Sequence, residues 1–185
     1  MTLEQESSQN LPPIVEPREF LDRPFIAYEV GRLPSSPTVA FLQWLPTLKT
    51  ETGLGLIKPH WFVVKASEMG VPSYLMPAYS DVLIHSHPKA DDEEKEPGHI
   101  PSAGDFHNCS ETAVNLLVSE KGITRYWKPE DDRDRRSISQ AIFNETYSKD
   151  VPSYLGFLKS VNARFEVYSW EEVGETKLTE LFEGK

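Results

Sequence analysis

Cysteine is almost absent from this sequence of 185 residues, which contains only Cys109. A single cysteine excludes a disulfide within the chain and any zinc cluster built from several thiolates. Metal ligands would therefore have to be histidine and carboxylate side chains. The low cysteine content also favours a reducing compartment.

A long apolar segment is also lacking. No stretch approaches the roughly 18 apolar residues that a membrane-spanning helix needs. Residues 1–13 lack the basic and apolar regions of a signal peptide. We therefore expect a soluble, cytoplasmic protein.

Basic residues are outnumbered by acidic ones. The chain has 19 Lys and Arg against 29 Asp and Glu, a formal net charge of −10 at pH 7. This excess of negative charge disfavours nucleic acid and anionic membranes as partners. A protein or peptide partner fits the charge better.

Length and composition predict a single domain. With 38% hydrophobic and 26% charged residues, the chain is similar to an average globular protein and is too short for two ordinary domains. Residues 1–18 are polar and contain three prolines, which predicts a loose N-terminal tail or a strap on the surface. We expect residues 19–185 to form the domain.

Strand and helix signals are mixed along the chain without a regular alternation. This predicts an α+β fold in which helices pack on a mostly antiparallel sheet. Strand patterns occur at 25–30, 38–45, 81–84, 123–127 and 164–170, the first two as a hairpin. Helix patterns occur from residue 102 to just before Gly122 and at 137–147, 154–159 and 177–182. Residues 50–80 fit either type, and the predicted charged loops are 89–101 and 129–136.

The tripeptide at residues 85–87, His-Ser-His, ends a predicted strand and is the most informative motif. Residues i and i+2 of a strand project from the same face, so His85 and His87 can hold one metal ion. The segment SAGD, residues 102–105, then puts the carboxylate of Asp105 one turn into the next predicted helix as a third ligand. Three protein ligands and a water molecule are the usual composition of a catalytic zinc site.

Both motifs also have interpretations that involve no metal. A His-x-His pair occurs by chance at solvated strand ends, and Ser102 with Asp105 forms the capping box that starts many helices. The capping and ligand roles are compatible. The order of the motifs favours a metal site, because an apolar strand ending in HSHP precedes PSAGD and an amphipathic pattern.

This ordered set resembles the signature of the JAMM family of zinc metallopeptidases: an upstream Glu, His-Ser/Thr-His-Pro, a spacer and Ser-x-x-Asp. Residues 85–88 match the His-Ser/Thr-His-Pro part, and residues 102–105 match the Ser-x-x-Asp part. The resemblance implies an MPN/JAB-like, cytidine-deaminase-like fold. It also implies one zinc ion held by His85, His87 and Asp105, with Ser102 stabilising the oxyanion.

The chain departs from the family pattern in two places. Fourteen residues, 88–101, separate His87 from Ser102, so an acidic insertion lies beside the predicted site. The upstream Glu, which is the general base in the family, has two candidates. Glu51 lies in ETGLGLI, which resembles the family text around this residue, whereas Glu29 is the only acid on the first predicted strand. We assign the base to Glu51, and Glu29 remains the alternative.

Three further residues near the motifs receive no catalytic role. His99 and His107 could touch a substrate or a second metal ion, but loop histidines are usually only solvated. Cys109 lies on the apolar face of the predicted helix, and no arrangement suggests a base that would activate it. We predict that Cys109 is a small buried apolar group.

The resemblance implies a zinc-dependent metallopeptidase or isopeptidase that hydrolyses an amide or isopeptide bond. The implied substrate class is the tail of a ubiquitin-like or sulfur-carrier protein. The alternative is a catalytically inactive MPN-like scaffold that binds a protein partner, which applies if no base is correctly placed. A different His-x-His metallohydrolase would need further His and Asp ligands, which cannot be recognised in the sequence.

The insertion gives a first testable prediction, because residues 91–96 carry five acids and one lysine between two zinc-ligand segments. One hypothesis is that this charge attracts a basic substrate tail, and the alternative is a solvated loop. If the charge attracts a basic tail, KM for a basic-tailed substrate should rise with little change in kcat when Asp91, Asp92, Glu93 and Glu94 are neutralised. Added salt should also raise this KM in the native protein, because salt screens the attraction, with a Debye length of about 8 Å at physiological ionic strength. A KM that responds to neither change would exclude electrostatic capture.

Overall fold

Seven strands and six α-helices occur in the part of the chain that the computed structural model describes, residues 11–66, 79–89, 98–144 and 150–184. The strands are β1 (Glu29–Arg32), β2 (Thr52–Ile57), β3 (His60–Lys65), β4 (Val82–Ser86), β5 (Val114–Ser119), β6 (Gly122–Trp127) and β7 (Arg164–Ser169). The helices are α1 (Pro17–Asp22), α2 (Val39–Trp44), α3 (Ala103–Asn108), α4 (Asp132–Asn144), α5 (Val151–Ser160) and α6 (Glu175–Phe182). A short 3₁₀ helix, Leu45–Thr47, follows α2.

The strands form one sheet in the spatial order β1-β3-β2-β4-β5-β6-β7. Neighbouring strands are antiparallel, with the exception of β4 and β5, which run parallel. The predicted α+β class with a mostly antiparallel sheet is confirmed. Because β4 lies in the middle of the sheet, hydrogen bonds to β2 and β5 hold it on both sides.

Helices cover both faces of the sheet. One buried cluster joins the sheet to α1, α2 and α6, and the other joins it to α3, α4 and α5. We call these sides the α6 face and the α3 face. On β5, Leu116 and Val118 belong to the α6 face, whereas Leu117 belongs to the α3 face. This alternation is the ordinary period of two in a strand, and it also decides which residues of β4 point toward α3.

Residues 13–15 run along the outer edge of β1. The Arg32 N–H donates to the Pro13 carbonyl at 2.8 Å, and the Val15 N–H donates to the Arg32 carbonyl at 3.0 Å. Helix α1 begins two residues later, at Pro17. This part of the predicted N-terminal tail therefore lies against the sheet as a strap, and residues 1–10 lie outside the described residues.

The hairpin predicted from 25–30 and 38–45 is wrong. Its second half forms α2, where the Thr38 side chain caps the helix by accepting a backbone N–H at 3.2 Å. Leu42 and Leu45 are fully buried at the helical spacing of three residues, but a short apolar run in the sequence does not decide between helix and strand. A hairpin forms instead from β2 and β3, in a stretch whose type the sequence does not decide.

The helix predicted after residue 102 is too long. Helix α3 ends at Asn108, and the next residue has extended backbone angles. The Asn115 side-chain amide then holds a turn by donating to the carbonyls of Ser110 at 2.9 Å and Ala113 at 3.1 Å. The residues that follow form β5, which is buried on both faces. A strand covered on both sides is apolar throughout and is easily mistaken for the continuation of a helix.

Several other predicted elements are confirmed. The strands predicted at 81–84, 123–127 and 164–170 are β4, β6 and β7, and the helices predicted at 154–159 and 177–182 are α5 and α6. Helix α4 includes the helix predicted from residue 137 as far as Asn144. It already begins at Asp132, so the second half of the charged loop predicted at 129–136 is wrong. The acidic insertion lies mostly outside the described residues.

The helices give no sign of a membrane span. Among those described, none combines the length and the apolar character that crossing a bilayer requires.

We expect Ile84→Ala to destabilise the protein, because Ile84 is 1% exposed in the α6-face cluster. The lost packing should lower the free energy of unfolding by about 2–5 kcal/mol. Val167→Ala, at a position on β7 that is 43% exposed, is the matched control and should cost less than about 1 kcal/mol. Urea unfolding followed by circular dichroism measures both variants. Equal losses would contradict this description of the core.

Candidate metal centre

His85 and His87 project from the C-terminal end of β4 toward the α3 face. The backbone keeps its direction beyond the strand, because the His87 N–H donates to the Val118 carbonyl at 2.9 Å. The ring of His85 meets the ring of buried Tyr126 edge to face, with centroids 6.1 Å apart. The two Nε2 atoms of the histidines lie 3.2 Å apart. The predicted i, i+2 arrangement of two imidazoles on one face is therefore present.

Asp105 reaches the histidines from the first turn of α3. Its N–H donates to Ser102 Oγ at 3.2 Å, and its Oδ2 accepts the Ser102 N–H at 2.7 Å, which forms a complete capping box. Buried Ala103 and Phe106 fix the helix to the sheet. The carboxylate lies 3.1 Å from His85 Nε2 and 3.5 Å from His87 Nε2. Ser102 and Asp105 therefore cap the helix, and the same Asp105 carboxylate faces the imidazoles.

The spacing of these three side chains fits a metal ion. One ligand atom from each of His85, His87 and Asp105 lies within 4.8 Å of the others, so the group could hold a metal ion. Ligands about 2.0–2.1 Å from a tetrahedral zinc ion are about 3.3 Å from one another, close to the separations found here. The other ring nitrogen of His87, Nδ1, lies 3.1 Å from the Gly98 carbonyl. Such a second contact commonly orients a metal-ligating histidine.

Burial and mutual attraction act in opposite directions on the protonation of His85 and Asp105. Burial disfavours the protonated form of His85, but the Asp105 carboxylate outweighs it and raises the pKa of this imidazole. Burial also disfavours the charged form of Asp105, but His85 and His87 hold the pKa of this carboxyl well below its usual range. The same pair that attracts a proton could therefore attract a cation. Metal binding would compete with protonation of these side chains, so it should weaken as the pH falls.

Glu51 lies beside this group, immediately before β2. Because Gly53 pairs with His85 in the antiparallel ladder, Glu51 approaches His87 two residues further along. The Glu51 Oε1 and His87 Nε2 atoms are 3.9 Å apart, and the Glu51 side chain is 29% exposed. The alternative acid, Glu29, pairs with Lys65 on β3 and lies 3.6 Å from Arg23. The strands β3 and β2 separate Glu29 from β4.

His107 and Cys109 lie in their predicted environments, whereas His99 is less exposed than a solvated loop histidine. His107 is exposed, and its Nδ1 lies 3.0 Å from Ser139 Oγ. His99 is half-buried beside His87, and its carbonyl accepts a hydrogen bond from Thr124 Oγ1 at 2.6 Å. Cys109 is 5% exposed, and burial raises the pKa of its thiol to about 12. A thiol this weakly acidic is no nucleophile at neutral pH, as predicted.

Two residues of the centre have no role in the sequence-based interpretation. Tyr126 packs on His85 from β6, and nothing in the sequence connects that strand with the motif. Ser86 is fully buried between the two histidine positions. Strand alternation does reveal Ser86, because a residue between two ligands on one face must point to the other face.

Comparison of the chain with protein families, with curated proteins and with solved structures gives no match. What can be inferred about function therefore depends on the geometry of this centre and on the motifs that form it.

We expect the chain to bind one divalent metal ion, with Zn²⁺ as the ion to test. After zinc supplementation and removal of loosely bound metal, elemental analysis should give about one equivalent per chain. His87→Ala removes a candidate ligand and should reduce the content to below about a tenth. His107→Ala is the control, since it changes an exposed histidine on the helix that carries Asp105. A native content below about a tenth would exclude a three-ligand site.

Proposed function

We propose that the protein is a JAMM-type zinc metallopeptidase with an MPN/JAB-like fold, which hydrolyses an amide or isopeptide bond. The observation that carries this proposal is the meeting of four side chains from three separate segments. Three of them, His85, His87 and Asp105, contact one another. The fourth, Glu51, lies 3.9 Å from His87. Their order along the chain is that of the JAMM signature. The α+β sheet, with HSHP ending a central strand and Ser-x-x-Asp opening the next helix, is compatible with that fold.

The donor set suits zinc. Two imidazoles and one carboxylate are typical ligands of a catalytic zinc ion, which leaves a fourth position open. Bound there, zinc supplies Lewis acidity that makes water acidic near neutral pH and polarises a carbonyl group. His85, His87 and Asp105 would hold the ion. Backbone groups orient two of these ligands: the Gly98 carbonyl contacts His87, and the Ser102 N–H donates to Asp105.

Glu51 is the proposed general base. Its carboxylate is 3.9 Å from His87 Nε2, which is beyond hydrogen-bond distance but close enough to reach a water molecule beside the ligands. Its partial exposure leaves room for a substrate. In the proposed reaction Glu51 takes the proton of the attacking water, and it returns that proton to the departing amine. The residue thus acts first as a base and then as an acid.

Ser102 is the proposed donor to the oxyanion. Its Oγ accepts the Asp105 N–H at 3.2 Å, which orients the side chain through a lone pair. The hydroxyl hydrogen is not used in that contact and can be donated to a substrate oxygen that becomes negative. A donor aimed at developing charge lowers the activation free energy more than it strengthens ground-state binding.

The proposed substrate is the tail of a ubiquitin-like or sulfur-carrier protein. The motif resemblance supplies this class, and the net charge of −10 is consistent with a protein partner rather than a nucleic acid. If the chain binds metal but no such substrate is cleaved, the alternative of an inactive MPN-like scaffold holds. Turnover of a ubiquitin-like protein with an amide-linked C-terminal fluorophore separates the two functions.

Glu51→Gln should reduce kcat by about 100-fold or more, because the amide cannot accept the proton from water. The zinc content should stay near one equivalent, since Glu51 is not among the three ligands. Glu29→Gln is the matched control, because it changes the other candidate base far from the histidines. Fluorogenic turnover and elemental analysis are measured on the same samples. Full activity of Glu51→Gln with loss in Glu29→Gln would reverse the assignment.

A further inference from the structure

Ser86 lies between His85 and His87, and its side chain points away from them. Alternation along the strand turns Ser86 to the α6 face while both imidazoles face α3. It is fully buried, with no measurable exposure. A buried hydroxyl needs a hydrogen-bond partner, because burial without one costs free energy.

The partner of Ser86 is the backbone of β2. The Thr52 N–H donates to Ser86 Oγ at 3.0 Å, and Thr52 is 1% exposed. The residue pairs of the β2–β4 ladder end with Gly53 and His85. The hydroxyl therefore acts as the acceptor just past the end of the ladder and extends the attachment of β2 to β4 by one residue.

This hydrogen bond acts on Glu51, because Thr52 is the next residue in the chain. Residues 48–50, which precede Glu51, form bends rather than a strand. Among the described residues, the Thr52 contact is the attachment between β2 and β4 that lies nearest to Glu51, and Thr52 also pairs with Lys65 on β3. A fixed backbone at Thr52 restricts where the Glu51 carboxylate can lie relative to His87, from which it is 3.9 Å away.

We infer that Ser86 is a positioning residue, whose hydroxyl holds Glu51 beside the histidines through the Thr52 N–H. This inference rests on the proposed role of Glu51 as the base. Ser86 itself touches neither the ligand atoms nor the substrate, since it occupies the opposite face of the sheet. One short motif would then supply two metal ligands on one face of β4 and the anchor of the base on the other.

A second buried serine close to β4, Ser80, provides a control for the loss of a buried hydroxyl. Ser80, shortly before β4, is 2% exposed, and its Oγ has no hydrogen-bond partner among the described residues. Ser80→Ala therefore removes the same atom from a similarly buried position without removing such a bond. It is the matched control for Ser86→Ala.

The test compares zinc-loaded native protein with Ser86→Ala, Ser86→Thr and Ser80→Ala. In Ser86→Ala we expect zinc content to be unchanged and kcat to fall about 10- to 100-fold, with KM within about twofold, as a misplaced base requires. Thr52 amide exchange, followed by NMR, should be about tenfold faster. Crystal structures should show Glu51 Oε1 further from His87 Nε2. Ser86→Thr keeps the hydroxyl and should restore most of kcat, whereas Ser80→Ala should resemble the native protein.

Two results would overturn the inference. One is a native kcat and a native Glu51–His87 separation in Ser86→Ala, and the other is an equal loss of kcat in Ser80→Ala. If Ser86→Ala does not fold, Ser86→Cys replaces it, since sulfur is a weak acceptor of similar size. If the native protein cleaves no substrate, the proposed function fails. The exchange rate and the Glu51–His87 distance then still decide whether Ser86 positions Glu51.

Discussion

The pairing of β2 with β4 determines where the acidic and imidazole side chains can meet. Gly53 pairs with His85, and a slip of one residue would turn the Glu51 side chain to the opposite face. Core packing prevents that slip, because Leu54 is fully buried and Leu56 nearly so on the α6 face. Gly53 has no side chain to compete with the His85 imidazole for space. Ordinary hydrophobic burial on one face of the sheet thus fixes the positions of the polar side chains on the other.

The third candidate ligand, Asp105, depends on a different kind of contact. A helix of six residues is not stable alone, so α3 depends on the burial of Ala103 and Phe106 and on its capping box. An N-cap contributes about 0.5–2 kcal/mol, and here the capping carboxylate also faces the histidines. The capping role of Ser-x-x-Asp and its candidate ligand role are therefore compatible in a single arrangement. The hydrogen bond that starts the helix also fixes the direction of the Asp105 side chain.

Side chains of the centre that belong to short local motifs could be predicted from the sequence. Features that depend on packing between distant segments could not. The two histidines and Asp105 belong to short motifs whose geometry is set within a few residues. The strand assigned to 38–45 failed because a mostly apolar run of eight residues has no decisive period, and its neighbours in space select the helix. The alternative acid, Glu29, is placed on the first strand of a predicted hairpin that does not form. The pattern around Glu51 instead indicates the acid that lies beside His87.

The charge balance of the centre indicates more than a structural ion pair. A structural pair needs one imidazole and one carboxylate, and His85 with Asp105 would suffice. The protein adds a second imidazole at 3.2 Å and a second carboxylate, that of Glu51, at 3.9 Å from it. Each added polar group costs desolvation free energy, and apolar residues in such positions often stabilise a fold as well or better. Stability alone does not account for this composition, whereas the proposed cation with a base beside it would use all four groups.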